Sequence, residues 1–323
     1  MRESPLPEYV SLVEVVRGGF REGVHYGAAV GLTASGEIGY SRGSVSTPML
    51  PRSAAKPFQA AAALRAGAGL GDRELAVAAG SHSGQGIHVA AVEKMLADIG
   101  LSPDALGCPA AWPMDRRSYR ALLRAGGSPS KLQMNCSGKH AAMLAACVGR
   151  GWSVADYLSP GHPLQVLVRE TIEELCGEPV THTVTDGCGA PQMAVSLSGL
   201  ARGLRAMAHA VEGSPEAAVL RTMRDFPEYV AGEDRSDTRL MRGLPGLVAK
   251  IGAEGVLVLL APAGETVAVK ISDGDPQSRA RTMAGLTGLR ALGVDIAPVS
   301  GMLNVDVLGG GEPVGNVRPI SST

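Results

Sequence analysis

The chain has 323 residues, and its 30 basic and 31 acidic side chains leave a formal net charge of −1. The charges are balanced, no basic block is present, and only 3% of the residues are aromatic. These features argue against nucleic acid or an anionic membrane surface as a partner. The longest strongly apolar run, around 256–262, is too short to cross a bilayer, and no apolar stretch follows the first charges. We therefore expect a cytoplasmic protein without a membrane partner.

Secondary-structure patterns change twice along the chain. Alternating apolar residues predict strands over 12–17, 27–32 and 37–40. Helical patterns fill the middle, over 53–66, 87–99, 117–125, 138–150, 162–176, 190–208 and 215–224. After a loop at 231–237, strands return at 256–260 and 266–271, and a helix near 277–292 and a glycine-rich strand segment close the chain.

Strands at both ends of a helical middle, without regular strand–helix alternation, predict an α+β fold with an antiparallel sheet formed from both termini. We predict one domain over 1–323, with a sheet lobe from about 1–50 and 250–323 and a helical lobe over about 51–249. Five cysteines are an odd number, so no disulfide framework is predicted. The glycine-rich stretches lack the strand, lysine and helix of a phosphate loop, so no nucleotide site is expected.

A serine and a lysine three residues apart open the first predicted helix. Ser53 and Lys56 would lie on one helix face, where a neutral amine could take the proton of the hydroxyl. A lysine is neutral near pH 7 only where burial or a second cation lowers its pKa. Lys270, on a late strand, supplies a second lysine in the order typical of penicilloyl-serine enzymes and serine-dependent glutaminases. The alternative is a solvated helix start, because Ser-x-x-Lys also occurs by chance.

Three further loops concentrate small polar and charged side chains. They are Ser-His-Ser at 81–83, Asn-Cys-Ser-Gly-Lys-His at 135–140 and Asp-Gly-Cys-Gly-Ala-Pro at 186–191. From residue types alone, Cys136 and Cys188 are candidate zinc ligands. A Ser/Gly-rich loop that caps the next helix is the alternative for 135–140.

Together these motifs resemble the type II L-asparaginase family of the Rhizobium etli kind. The resemblance rests on Pro-Arg-Ser-x-x-Lys-Pro at 51–57 and on the three loops, and it extends from Glu-x-x-His at 22–25 to Val-Gly at 314–315. It implies a fold similar to serine β-lactamases and glutaminases. It also implies hydrolysis of the side-chain amide of L-asparagine to L-aspartate and ammonia through a serine acyl-enzyme.

The resemblance implies two serine–lysine tandems, Ser53 with Lys56 and Ser81 with Lys270. Either serine could attack the carboxamide carbon, and Ser53 is favoured by analogy with the penicilloyl-serine fold, with Lys56 as its base. Ser81 and Lys270 are then expected to carry the proton to the leaving ammonia and to activate water.

The resemblance also implies a zinc site formed by Cys136, Lys139 and Cys188, with Asp186 beside the metal. Two thiolates and a nitrogen suit zinc, although a lysine must lose its proton to bind it. We expect this zinc to hold the loops around the substrate rather than to activate water. In an alternative interpretation, Asp186 accepts hydrogen bonds from the substrate α-ammonium group.

Three more side chains are candidates for substrate binding. Arg52 or Arg235 could pair with the substrate α-carboxylate, for which a guanidinium fork is suited, and surface ion pairs are the alternative. His82 is the third candidate. His82 and His140 could also be general bases, because imidazole titrates near neutrality, and hydrogen-bonded structural roles are the alternative.

Two departures from the family pattern concern substrate preference. Ser83-Gly84-Gln85 stands where the family commonly has Asn-Gly-Glu, and Glu233 stands where smaller residues are usual. Pockets for asparagine and glutamine differ by one methylene, worth ~1–3 kcal/mol. A glutaminase or another amidase on the same fold is therefore an alternative, and an inactive zinc- or ligand-binding protein is a second one. We expect a homodimer.

Overall fold

The structure is a computed structural model that describes residues 6–320. Its strands are β1 (Val10–Arg17), β2 (Phe20–Leu32), β3 (Ile38–Arg42), β4 (Pro48–Met49), β5 (Thr183–Thr185), β6 (Pro191–Met193), β7 (Val195–Ser196), β8 (Val248–Gly252), β9 (Val256–Leu260), β10 (Thr266–Ile271), β11 (Val305–Gly309) and β12 (Glu312–Pro319). Eight of them form one sheet, in the order β11-β12-β1-β2-β10-β9-β8, with β3 also paired to β2. The short strands pair as β4 with β7 and β5 with β6.

Both ends of the chain contribute to the sheet. Strand β1 lies between β2 and β12, and all pairings in the sheet are antiparallel. Val15 pairs with Val317, and both side chains are buried. The predicted α+β class, with an antiparallel sheet from both termini, is confirmed.

The middle of the chain is helical. The helices are α1 (Lys56–Arg65), α2 (Asp72–Ala78), α3 (Gly86–Asp98), α4 (Arg116–Arg124), α5 (Ser137–Arg150), α6 (Pro163–Cys176), α7 (Leu197–Ala208), α8 (Pro215–Asp225), α9 (Pro227–Val230), α10 (Ser236–Gly243) and α11 (Ala280–Ala291). Residues 56–63 of α1 are all buried, which makes α1 the central helix, in contact with α5, α6 and α8. Helices α7 and α11 pack against β9 and β10, and every residue of β9 is buried.

Four local predictions differ from the structure. The helix predicted from residue 190 begins at Leu197 instead. Residues 191–193 are not helical because they pair with 183–185 as a hairpin. The Ser196 hydroxyl caps the helix by accepting a hydrogen bond from Gly199 N. Helix α2 and strand β8 were not predicted, and α10 begins inside the predicted loop at 231–237. Strand β8 shows no alternation, since all five of its residues are buried.

Within residues 6–320, no helix has both the length and the apolar character that a bilayer crossing requires.

Candidate active site

Ser53 lies in a short 3-10 turn, Arg52–Ala55, that leads directly into α1. Arg52 has a φ of +52°, in the left-handed region that non-glycine residues rarely adopt. The end of β8 abuts this turn, since a Cβ at Gly252 would lie 2.4 Å from the Pro51 carbonyl oxygen. Among the described residues, the half-buried Ser53 hydroxyl has no hydrogen-bond partner, so it is available to a substrate.

The Lys56 amine is buried and reaches the loop after α2. Its Nζ lies 2.6 Å from the Gly80 carbonyl oxygen, 3.2 Å from the Asn135 carbonyl oxygen and 3.0 Å from Ser81 Oγ. Burial lowers the pKa of Lys56, and the nearby Lys139 lowers it further, against the opposing effect of Cys136. A neutral amine has two hydrogens, which match the two carbonyls, and one lone pair that can accept the Ser81 hydroxyl proton.

Lys56 is therefore hydrogen-bonded to Ser81, whereas sequence reasoning paired Lys56 with Ser53. The second predicted pair, Ser81 with Lys270, is not formed either. Lys270 Nζ donates to the Glu254 carbonyl, in the turn between β8 and β9, and its charged neighbours are Glu254, Arg52 and Asp273.

Sequence reasoning missed a further buried lysine, Lys250 in β8. Its Nζ donates to the Ile251 carbonyl at 2.8 Å and lies 3.8 Å from Asp237 Oδ1, and both side chains are buried. Burial lowers the pKa of Lys250 to about 8, although Asp237 opposes this, and Lys56 adds to it as a nearby cation. A single lysine inside Val-Ala-Lys-Ile-Gly is the sequence signal that could have identified it.

Asp186 occupies the tip of the β5–β6 hairpin and holds Arg52. Arg52 Nε donates to Asp186 Oδ1 at 2.8 Å, and the same oxygen accepts the Gly187 N–H at 2.8 Å. The two candidate substrate ligands thus pair with each other across the site. Arg235 differs, since its side chain has no hydrogen-bond or ion-pair partner in the described part of the chain.

The three candidate metal ligands meet in the interior. Lys139 Nζ lies 3.0 Å from Cys188 Sγ, and Asp186 Oδ2 lies 3.9 Å from the same sulfur. A hydrogen bond with Cys188 lowers the pKa of Cys136 well below its usual value, with help from the charges of Lys56 and Lys139 and against the opposing effect of burial. Burial opposes a charged Lys139, but the two sulfurs outweigh it and raise the pKa of Lys139.

This donor set fits zinc, because two buried sulfurs and one amine converge. Residues 6–320 contain no group of three or more His, Cys, Asp or Glu that could hold a metal ion, so the site depends on the amine of Lys139. That amine must lose its proton to bind the metal.

The two candidate histidines are fully buried. His82 accepts a hydrogen bond from Gly84 N at Nδ1, lies 2.9 Å from Ser137 Oγ through Nε2 and stacks on His88. With both ring nitrogens engaged, His82 has none left for a substrate, and burial lowers its pKa well below the usual value. His140 meets the Tyr157 hydroxyl through Nδ1 at 2.6 Å. The placement of His82 corrects its prediction as a substrate ligand.

A family model described as L-asparaginase II matches residues 13–319. The chain belongs to the L-asparaginase II family. It is therefore an asparaginase-type amidohydrolase, as the sequence motifs predicted. No curated protein shows a significant match to it.

Solved structures similar to this L-asparaginase II family member include two described as β-lactamases. A β-lactamase from Mycobacterium bovis shares 14% identity over 83% of this chain and 94% of its own, with a TM-score of 0.46. A putative β-lactamase from Bacteroides dorei shares 15% identity over 76% and 85%, with a TM-score of 0.42. A simvastatin synthase from Aspergillus terreus shares 12% identity over 83% and 94%, with a TM-score of 0.42.

Proposed function

We propose that the protein hydrolyses the side-chain amide of L-asparagine to L-aspartate and ammonia, with Lys56 as the base. The observation that carries this proposal is the buried Lys56 amine 3.0 Å from Ser81 Oγ, with Ser53 one helical turn before it. A binding protein has no need of a desolvated lysine that faces a hydroxyl beside an unpaired serine. Family membership supports an amide as the bond that is cleaved.

In this proposal Ser53 attacks the carboxamide carbon and passes its proton through Ser81 to the neutral Lys56. The tetrahedral intermediate then breaks its C–N bond, and ammonia leaves with the proton that Lys56 had taken. Water attacks the resulting ester and gives a proton to Lys56, which returns it to Ser53 as the ester bond breaks. The backbone N–H of Ser53, at the start of α1, would stabilise the oxyanion, and such a donor is typically worth about 2.7–4 kcal/mol.

Lys250 replaces Lys270 as the second lysine of the proposed mechanism. It is buried beside Asp237, and burial together with the nearby charge of Lys56 lowers the pKa of Lys250. Lys270 points to the Glu254 carbonyl instead. We assign Lys250 the role of the second amine of the site, one that loses its proton more readily than an exposed lysine.

Arg235 is the better candidate for the substrate α-carboxylate, because its guanidinium is unpaired among the described residues. Arg52 is already engaged by Asp186, which leaves Asp186 Oδ2 for the substrate α-ammonium group. Cys136, Lys139 and Cys188 would hold zinc, which would supply a local positive charge and a cross-link between the 135–140 loop and the hairpin tip.

Ammonia release from L-asparagine and L-glutamine, measured side by side, tests the proposal. We expect release from asparagine in the wild type, a loss of ~10²–10⁴-fold in Ser53→Ala, and unchanged release in Ser300→Ala, an exposed serine outside the site. Release mainly from glutamine would favour the alternative glutaminase. No release from either amide, with ligand binding intact, would favour the binding-protein alternative.

A further inference from the structure

A groove of about 680 Å³ opens beside the candidate active site. Its lining includes two aspartates, Ser83 and five arginines, namely Arg116, Arg117, Arg120, Arg124 and Arg235. Ser83 follows Ser81 by two residues, and the Ser83 carbonyl accepts the Asp115 N–H at 2.9 Å, which ties the start of α4 to the Ser81 loop. Ser83 and Arg235 thus connect the groove with the catalytic residues.

The arginines of this groove lack the acidic partners found on other helices. Arg116, Arg120 and Arg124 follow one another at four-residue spacing on α4, an arrangement in which like charges repel. At the same spacing elsewhere, Arg169 faces Glu173 and Lys94 faces Asp98. Among the described residues, no hydrogen bond or ion pair involves the side chain of a groove arginine, although the charge of Arg117 lowers the pKa of Asp115.

A second observation points to a ligand in the same groove. The Ser83 side chain is 3% exposed, lines the groove, and its hydroxyl has no hydrogen-bond partner. The Ser83 hydroxyl lies against the loop at 232, where a Cβ on Gly232 would come within 2.2 Å of Ser83 Oγ. A buried hydroxyl without a partner costs stability unless a ligand or water satisfies it.

We infer that this groove binds a small compound with two or three negative charges, as carboxylate or phosphate groups. Five arginines against Asp115 and Asp234 leave an excess of positive charge that the single α-carboxylate of asparagine does not match. The volume also exceeds what asparagine needs. Such an anion has two possible sources: the far end of a larger amide substrate, or a separate anionic effector. The first source rests on the proposed function.

Calorimetric titration of the full chain with citrate tests the binding site. We expect the Kd of citrate to rise at least 10-fold in Arg117→Gln/Arg120→Gln, to stay close to the wild type in Arg117→Lys/Arg120→Lys, and to be unchanged in Arg239→Gln/Arg290→Gln. The last pair removes the same charge from two other arginines without described partners. Absent binding of citrate by the wild type, or an equal Kd in all variants, would overturn the inference.

Hydrolysis of β-aspartyl-glutamate, whose amide nitrogen carries two further carboxylates, distinguishes the two sources. If the groove binds the far end of a substrate, the KM for β-aspartyl-glutamate should rise at least 10-fold in Arg117→Gln/Arg120→Gln, while the KM for asparagine stays unchanged. If the KM values for both substrates stay unchanged while citrate binding is lost, the groove binds a separate anionic effector. Citrate binding in a protein that hydrolyses neither amide would support the groove and contradict the proposed function alone.

Discussion

The ability of Lys56 to act as a base depends on its buried surroundings rather than on the Ser-x-x-Lys spacing. Three oxygens surround its Nζ, and two of them are backbone carbonyls that can only accept hydrogen bonds. Burial lowers the pKa of the amine, so the neutral form becomes accessible at a pH where an exposed lysine would be charged.

The first prediction concerns the pH dependence of this amine. Protonated Lys56 cannot accept a proton, so kcat/KM for asparagine should rise with pH until Lys56 is deprotonated and then level off. Lys56→Met should lower kcat by ~10²–10⁴-fold and abolish this rise. Lys94→Met, which removes a surface amine paired with Asp98, is the control. An intact rise in Lys56→Met, measured by initial rates, would assign the base to another group.

The second prediction concerns the stability contribution of Lys250. Its folded-state pKa of about 8 lies below the usual 10.5, so the unfolded chain binds more protons between these values. The free energy of unfolding should therefore rise with pH from about 8 to 10.5 through this group, by roughly 3 kcal/mol. Lys250→Met should show a shallower rise by about that amount in chemical denaturation at several pH values. Equal slopes in the two proteins would contradict the assignment.

At the scale of elements, the β5–β6 hairpin positions Asp186 and Cys188 between the start of α1 and the start of α5. Helix α5 supplies Lys139, and Cys136 precedes its first residue. The sequence pattern does not predict the hairpin, because the residues from 190 onward fit the same helical periodicity as α7. Only the pairing of 191–193 with 183–185 reveals it.

The third prediction tests this junction through its metal. The wild type should retain about one zinc ion per chain after dialysis, and Cys136→Ser and Cys188→Ser should each lose it. Cys176→Ser, in α6, should retain the metal, as measured by plasma mass spectrometry. Chelation should raise the KM for asparagine more than it lowers kcat. Complete loss of turnover that only metal restores would contradict a purely structural zinc.

The motifs predicted which loops meet, but not which atoms pair. Lys56 is hydrogen-bonded to Ser81, whereas Ser53 lies in the 3-10 turn that precedes α1. Lys250 was missed because an isolated lysine in a fully buried strand breaks the pattern that identifies strands. Its role depends on Asp237, which reaches β8 from α10. Both the partner of Lys56 and the burial of Lys250 depend on contacts between residues far apart in sequence.

At the scale of the whole molecule, one hydrophobic cluster includes side chains from the sheet and from the central helices. The sheet joins the two ends of the chain through β1 and β12, so the helical middle is inserted in sequence between strands of one sheet. The single domain over 1–323 and the homodimer remain predictions.

The fourth prediction tests whether the two lobes unfold together. Val317→Ala, in β12, should cost roughly 1–3 kcal/mol. Both tryptophans, Trp112 and Trp152, lie in the helical part, so their fluorescence reports on the other lobe. We expect the fluorescence and far-UV circular dichroism midpoints to fall together, and Val211→Ala, at an exposed position, to change neither. An unchanged fluorescence midpoint would show that the lobes unfold separately.

The most direct measurement is mass spectrometry of the acid-quenched enzyme during turnover of asparagine. The mechanism predicts an aspartyl ester on the peptide that contains Ser53, and its absence in Ser53→Ala. An ester on Ser81 instead, or rapid ammonia release without any acyl-enzyme when ester hydrolysis is slowed, would contradict Ser53 as the nucleophile.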